Sequence, residues 1–323
     1  MTDLALISLG TTPGLVRSDE SFADLVRAAG ASIDIVPVRI GAAGKLRRGP
    51  ATVDLVEALA ARRALRGVDA RAVVFSTTTA ALLAHPRLPY AIRFDATAAI
   101  NRPGAGGAWQ RRAEKRALGR ATVLMPVSRG AEGAAGGVRV PIPIAAVEGA
   151  AERDIDAVTY AADPRKRGLE VVARAWEGGR LVVGGIDREA GSSWLRRHGV
   201  PEPDGIEWAG RLPHARWLEL VGRARMFVNG SRWEDFGIAP MEALSAGTPL
   251  VTVPTPGSFE ALPLARELAP ALVSVDLRGA IAAARDVDRA DYAARASELL
   301  RPYRPEAVLA TLTGQVLPRL LPS

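Results

Sequence analysis

Residues 226–242 read Met226-Phe227-Val228-Asn229-Gly230-Ser231-Arg232-Trp233-Glu234-Asp235-Phe236-Gly237-Ile238-Ala239-Pro240-Met241-Glu242. Met226–Val228 is the apolar run of a buried strand, and small residues turn it into a loop. Two carboxylates, Glu234 and Glu242, then bracket a Phe236-Gly237 turn that leads into an apolar helix. Ala243-Leu244-Ser245-Ala246-Gly247-Thr248-Pro249 continues that helix and stops it at Gly and Pro, and the apolar strand Leu250–Val253 follows. Strand, loop, helix and strand in that order form a βαβ unit whose ligand site is the strand-to-helix turn. The turn lends backbone N–H groups and the positive end of a helix dipole to an anion. The two acids accept hydrogen bonds from neutral hydroxyls. A sugar attached to a phosphate meets both halves of such a site.

The same alternation extends outward in both directions. Strands are expected at Leu4–Leu9, Ile33–Val38, Ala72–Ser76, Tyr90–Phe94 and Thr122–Val127, with helices at Ser21–Ala29, Val53–Leu65 and Ala108–Leu118 between them. The Ala/Gly-rich stretches 103–107 and 130–137 read as loops. Pro141 and Pro143 stiffen an exit segment, after which the pattern restarts. Ala157–Ala161, Leu181–Val183, Gly205–Gly210 and Met226–Val228 read as strands, with helices at Gly168–Ala175 and His214–Val221. This is an α/β chain of two doubly wound Rossmann-like domains, 1–142 and 143–304, with a ligand cleft between the carboxyl ends of their sheets. Pro302 and Pro305 break the last helices, which lets the segment 305–323 pack back on the first domain.

Composition excludes several classes. The 323 residues contain no Cys, so there is neither a disulfide framework nor a thiolate metal site. His85, His198 and His214 are far apart, and no metal site is expected. No cofactor is expected either. The start lacks a basic stretch followed by a long apolar run, and no segment reaches the roughly 20 apolar residues that cross a bilayer. A cytoplasmic location is therefore expected. The net charge of +7 comes almost wholly from Arg, since Lys occurs only at 45, 115 and 166. That balance favours anionic partners without choosing among nucleotide, lipid and nucleic acid. Few aromatics interleave with the basic residues, which argues against single-strand nucleic acid.

The run from Arg232 to Val251 resembles the donor-binding motif of the retaining family-4 glycosyltransferases of the GT-B fold. Their pattern is Glu, seven residues, Glu, with Phe-Gly inside and Ala-x-Gly-x-Pro after. Glu234 and Glu242 hold that spacing, and Phe236-Gly237 and Ala246-Gly247-Thr248-Pro249 match the rest. The resemblance covers the C-terminal half well and the N-terminal half in layout. It implies a hexosyltransferase-like enzyme that moves a sugar from a nucleoside-diphosphate sugar to an acceptor, with retention and without a metal. In this reading 143–304 binds the donor and 1–142 faces the acceptor.

The resemblance also implies roles for single residues. Glu234 would hold sugar hydroxyls near the anomeric centre, and Glu242 the ribose hydroxyls. Phe236, Gly237 and Ile238 would line the phosphate-binding turn. Gly210 and Arg211, in Trp208-Ala209-Gly210-Arg211-Leu212, would lie beside the nucleobase. Gly257-Ser258-Phe259-Glu260 resembles a short loop after the next strand whose role is undefined. The family brings two cations to the diphosphate through Arg-x4-Lys-Gly. Here Arg167-Gly168 stands at Lys-Gly, preceded by Lys166, but Ala162 stands where the first Arg belongs. In the first domain Gly10, Thr11 and Thr12 match a loop near the phosphates and acceptor. Asp95 stands where the family often has a His close to the reacting carbon; Asp accepts a hydroxyl hydrogen bond but is no neutral imidazole donor. Arg111, Arg112, Lys115, Arg116 and Arg120 form a basic helix, the place where membrane-associated members meet anionic lipid. The two departures, Ala162 and Asp95, motivate an alternative: a nucleotide-sugar-binding protein with weak or absent transfer activity.

Overall fold

The computed structural model describes residues 1–41, 49–150 and 152–322. The chain divides into two compact units, Met1–Pro143 with Pro305–Ser323, and Ile144–Arg304.

Unit 1 is built on a parallel sheet of β1 (Thr2–Ser8), β2 (Ile33–Pro37), β3 (Ala70–Phe75), β4 (Tyr90–Phe94) and β5 (Val123–Pro126), in the order β2-β1-β3-β4-β5. Leu4, Leu6, Val74, Ala91 and Met125 face one apolar layer, and Ile7, Val73, Phe75 and Ile92 face the other. Alternate side chains of each strand therefore enter different cores, as a sheet covered on both faces requires. The first layer is closed by Phe22 and Val26 of helix Pro13–Ala28 and by Val308, Leu312, Val316 and Leu320 from the end of the chain. The second is closed by helices Pro50–Ala64, Thr78–Ala81 and Ala108–Leu118.

Unit 2 repeats the plan with β6 (Ala157–Tyr160), β7 (Leu181–Gly184), β8 (Ile206–Gly210), β9 (Phe227–Asn229) and β10 (Leu250–Thr252). All pairs are parallel and the order is β10-β9-β6-β7-β8. The chain runs from β6 to one side as far as β8, then returns to β9 on the other side of β6. The reversal makes β6 and β9 the topological switch point, where open α/β sheets bind ligands at their carboxyl ends.

Two local expectations are corrected. The first helix starts at Pro13, not near Ser21. Thr12 caps it by accepting a hydrogen bond from Leu15 N at 3.2 Å, and Pro13 needs no N–H partner in the first turn. Gly10–Thr12 is the short exposed loop that joins β1 to this helix. The stretch 130–137 is not all loop either, because Arg129–Ala135 is a helix. Ser128 caps it through Ala131 N at 3.0 Å, and Gly136 ends it at φ +70°.

Candidate donor site

The switch point is closed by two glycines. A Cβ on Gly168, in the loop after β6, would lie 2.0 Å from the carbonyl oxygen of Gly230, in the loop after β9. The loops touch backbone to backbone because neither residue has a side chain, and Arg232 N adds a bond to the Lys166 carbonyl at 2.9 Å. This contact brings Lys166 and Arg167 to the acids of the 231–237 loop. Lys166 Nζ lies 2.8 Å from Asp235 Oδ2, and the Arg167 guanidinium pairs with the Glu234 carboxylate. Burial pushes the Arg167 pKa below its ordinary value, against the pull of the neighbouring Asp235 and Asp163.

Glu234 is buried, and Ser231 Oγ also reaches it, at 3.5 Å. Ser231 itself is held by Asn229 Oδ1 at 2.7 Å, and Asn229 by Thr252 on the neighbouring strand at 3.0 Å. A chain of short polar side chains therefore fixes the loop to the sheet. Phe236 is buried, and Gly237 opens helix Ile238–Ser245 at φ +81°, ψ +61°. Any other residue would be strained in that conformation. Its missing Cβ would stand 2.6 Å from the Phe259 ring. Ile238, partly exposed, is the first residue of that helix.

Glu242, on the inner face of the same helix, is 4% exposed. Its Oε1 lies 2.8 Å from His214 Nε2, and its Oε2 accepts from Trp217 Nε1 at 2.9 Å. Trp217 is anchored edge-on between Tyr160 and Phe227, with centroids at 5.2 and 6.2 Å. The absence of a Cβ on Gly184 admits the ring. Glu242 is thus oriented from helix His214–Arg223, which follows β8.

Beside this pair, a cavity of about 510 Å³ opens at the carboxyl ends of β6, β7 and β8. Ala162, Gly185, Asp187, Ser193, Arg197 and Arg211 line it. Gly210 ends β8 at φ +66° with open space where a Cβ would be, and its carbonyl accepts from Gly185 N at 2.7 Å. The vacancy left by the small Ala162 side chain is part of this cavity.

In unit 1, Gly10–Thr12 and Asp95 leave the carboxyl ends of β1 and β4, with β3 between them. Gly10 has φ +56°, and Gly10, Thr11 and Thr12 are exposed. Asp95 is half-buried, and its carbonyl accepts from Ser128 Oγ at 3.0 Å. Beneath both lies a network that no motif announced. Arg93 is 2% exposed, donates to Asp19 at 3.2 Å and Ser18 at 3.1 Å, and stacks its guanidinium on Phe22 at 4.4 Å. Ser8 Oγ donates to Asp19 at 2.6 Å. Burial raises the Asp19 pKa despite Arg93, and lowers that of Arg93 despite Asp19.

Residues 151–263 match the family described as Glycosyl transferases group 1. That stretch is similar to a group 1 glycosyltransferase domain. The match takes in the loops after β6 and β9, the cavity and both acids. A glycogen synthase of Mycobacterium tuberculosis is 35% identical over 98 residues, which are 29% of this chain and 23% of that protein. The chain thus spans about a quarter of the length of that curated relative. The fold is similar to those of two solved structures. Sucrose-phosphate synthase from Thermosynechococcus elongatus has a TM-score of 0.69 and 15% identity, covering 96% of each chain. WaaG, a glycosyltransferase involved in lipopolysaccharide biosynthesis, has a TM-score of 0.67 and 15% identity, covering 97% of this chain and all of that one. The two-unit architecture is the GT-B fold.

His214, Trp217 and the Arg93 network escaped sequence reading. The first two sit 28 and 25 residues from Glu242, on another helix, and no spacing rule links them to it. An isolated His or Trp at a helix start carries no signal by itself.

Proposed function

We propose that the protein is a retaining glycosyltransferase that takes a sugar from a nucleoside-diphosphate sugar and passes it to an acceptor. One observation supports the reading: the switch point of unit 2 gathers Glu234, Glu242, Arg167, Lys166 and the left-handed Gly237 turn within the stretch that matches the group 1 family. A leaving diphosphate builds negative charge, and a departing sugar builds positive charge. Arg167, Lys166 and the amides at the start of helix Ile238–Ser245 would stabilise the first. Glu234 would hold sugar hydroxyls beside the second, and Glu242 the ribose. The cavity lined by Arg211, next to Gly210 in the chain, is large enough for the base. Asp95 and the Gly10–Thr12 link of unit 1 would serve the sugar and acceptor, and the transfer would use no metal.

Arg167 is already paired with Glu234, so donor entry would exchange one anion for two. The diphosphate would take over part of the guanidinium while Glu234 turned its oxygens to the sugar. Glu234→Gln removes the charge but keeps the shape. Sugar transfer in this variant should fall by about 100-fold or more. Full activity would exclude Glu234 from the reaction.

A second reading is favoured by Ala162. The cavity wall where the family places a diphosphate cation is methyl-sized, and a protein with that gap would bind a nucleotide sugar without transferring it. Calorimetry that detects binding with neither transfer nor hydrolysis supports this reading; turnover with any acceptor excludes it.

The exposed cations Arg112, Lys115, Arg116 and Arg120 support peripheral contact with an anionic membrane, each adding roughly 1 kcal/mol near such a surface. Among the described residues no helix is long and apolar enough to cross a membrane.

A further inference from the structure

The loop after β10 packs beneath the Glu234–Gly237 turn along its whole length. A Cβ on Gly257 would lie 2.0 Å from the Glu234 carbonyl oxygen, and Glu234 N donates to the Pro256 carbonyl at 3.1 Å. The Phe259 ring fills the side of Gly237. Glu260 N donates to the Phe236 carbonyl at 3.2 Å. The Glu260 side chain points the other way and accepts a hydrogen bond from the Tyr303 hydroxyl. Both groups are inaccessible to solvent, at 2% and 0%.

Tyr303 lies two residues before the chain leaves unit 2, and its carbonyl accepts from Ile144 N, the first residue of that unit, at 2.8 Å. Arg304 adds bonds to the Ile144 carbonyl at 3.2 Å and to Ser245 Oγ at 2.7 Å. Ser245 in turn donates to the Ala145 carbonyl at 2.7 Å. Ser245 is the last residue of the helix that carries Glu242. The paired segments 144–145 and 303–304 therefore grip that helix at both ends: at its start through Tyr303, Glu260 and Phe236, and at its finish through Arg304 and Ser245.

We propose that Glu260 and Tyr303 are positioning residues, which hold the Glu234–Gly237 turn in register with the segments where the chain enters and leaves unit 2. The functional consequence rests on the reading of that turn as the donor site; the mechanical link does not. A hydroxyl buried for packing alone would need an acceptor, but it would not need one whose backbone closes the turn.

Tyr303→Phe keeps the ring and removes the hydrogen bond. Amide hydrogen exchange then separates positioning from general stability. Residues 234–241 should exchange about ten-fold faster in this variant, the size expected from one lost buried hydrogen bond, while β6 and β7 keep wild-type protection. Glu260→Gln retains an oxygen acceptor for Tyr303 and should restore protection to near wild type. Unchanged exchange at 234–241, or an increase spread evenly over unit 2, overturns the proposal. Should Tyr303→Phe fail to fold, Glu260→Asp, which withdraws the carboxylate by one methylene, is read against the same criterion. The transfer assay is the second measurement, run with UDP-, ADP- and GDP-glucose. If the wild type turns one of them over, Tyr303→Phe should lower kcat about ten-fold at temperatures where the fold is intact. A wild type that turns over none of them removes the functional reading and leaves the exchange result to decide the positioning role.

Discussion

Glu234 and Glu242 are both buried, yet they are made tolerable in different ways. Glu234 faces a guanidinium, whereas Glu242 faces an indole N–H and an imidazole. A buried acid without such partners would protonate or destabilise the fold. Removing one partner of a buried pair leaves the other charge stranded. Arg167→Ala should therefore destabilise unit 2 by roughly 3 kcal/mol in chemical denaturation. The double variant Arg167→Ala/Glu234→Gln should recover a good part of that loss, since the stranded charge is gone. Equal losses in the single and double variants would mean that the two side chains do not depend on each other. The pair was only half legible in the sequence. The motif spacing placed Glu234, and the Arg167-Gly168 step placed the cation, but nothing in one dimension said they would meet. Their meeting depends on Gly168 and Gly230, which let two backbones touch.

The turn at Gly237 shows how an element is fixed from outside itself. Its left-handed backbone and the Phe259 ring both exclude a side chain. Gly237→Ala should cost about 2 kcal/mol from the strained conformation alone, with more from the ring contact, and should weaken nucleotide-sugar binding. Thermal shifts with and without nucleotide sugar check both effects; a variant as stable as the wild type and equally able to bind would contradict the role given to this turn. The sheet alternation of both units was readable because β-strands here are short apolar runs between Gly and Pro. Element starts were less readable where caps decide them. Thr12 and Ser128 each begin a helix from a single hydroxyl; the polar run Arg17–Glu20 hides the start of the first from its apolar face, and the Gly and Ala of the second carry no periodic apolar face. The Arg93–Asp19 pair was hidden for the opposite reason. Both residues lie at positions where apolar side chains are expected, and charge alone gave no hint of burial.

At the scale of the whole molecule, acid should act in opposite directions on different carboxylates. Asp154 accepts from Arg223, with Arg180 also near, and its pKa is held at about 2 against an ordinary 3.8. A depressed folded-state value gives stability that is present above 3.8 and lost as pH falls through about 2. Between pH 4 and 2 the gap in Tm between wild type and Asp154→Asn should therefore close. In unit 1, burial raises the pKa values of Asp19 and of Glu114, whose carboxylate holds Ala98 N at 2.8 and 2.9 Å. Raised values work against folding as pH climbs above 3.8 and 4.5, so acid relieves Asp19 and Glu114 while it loosens the Asp154 ion pairs of unit 2. The basic helix makes a separate claim on the whole particle. Sedimentation with vesicles rich in phosphatidylserine should bind the protein at low salt and release it at high salt; the triple variant Arg112→Ala/Lys115→Ala/Arg116→Ala should lose most of that binding, and binding indifferent to salt would exclude this contact. The closing segment of unit 1 has a consequence for biosynthesis. Val308, Leu312, Val316 and Leu320 fill one wall of a core whose other walls were translated hundreds of codons earlier. Every residue of unit 2 leaves the ribosome before that wall does. The later-made unit is thus free to fold first, and the nascent amino-terminal half keeps one oily face uncovered until the last stretch emerges.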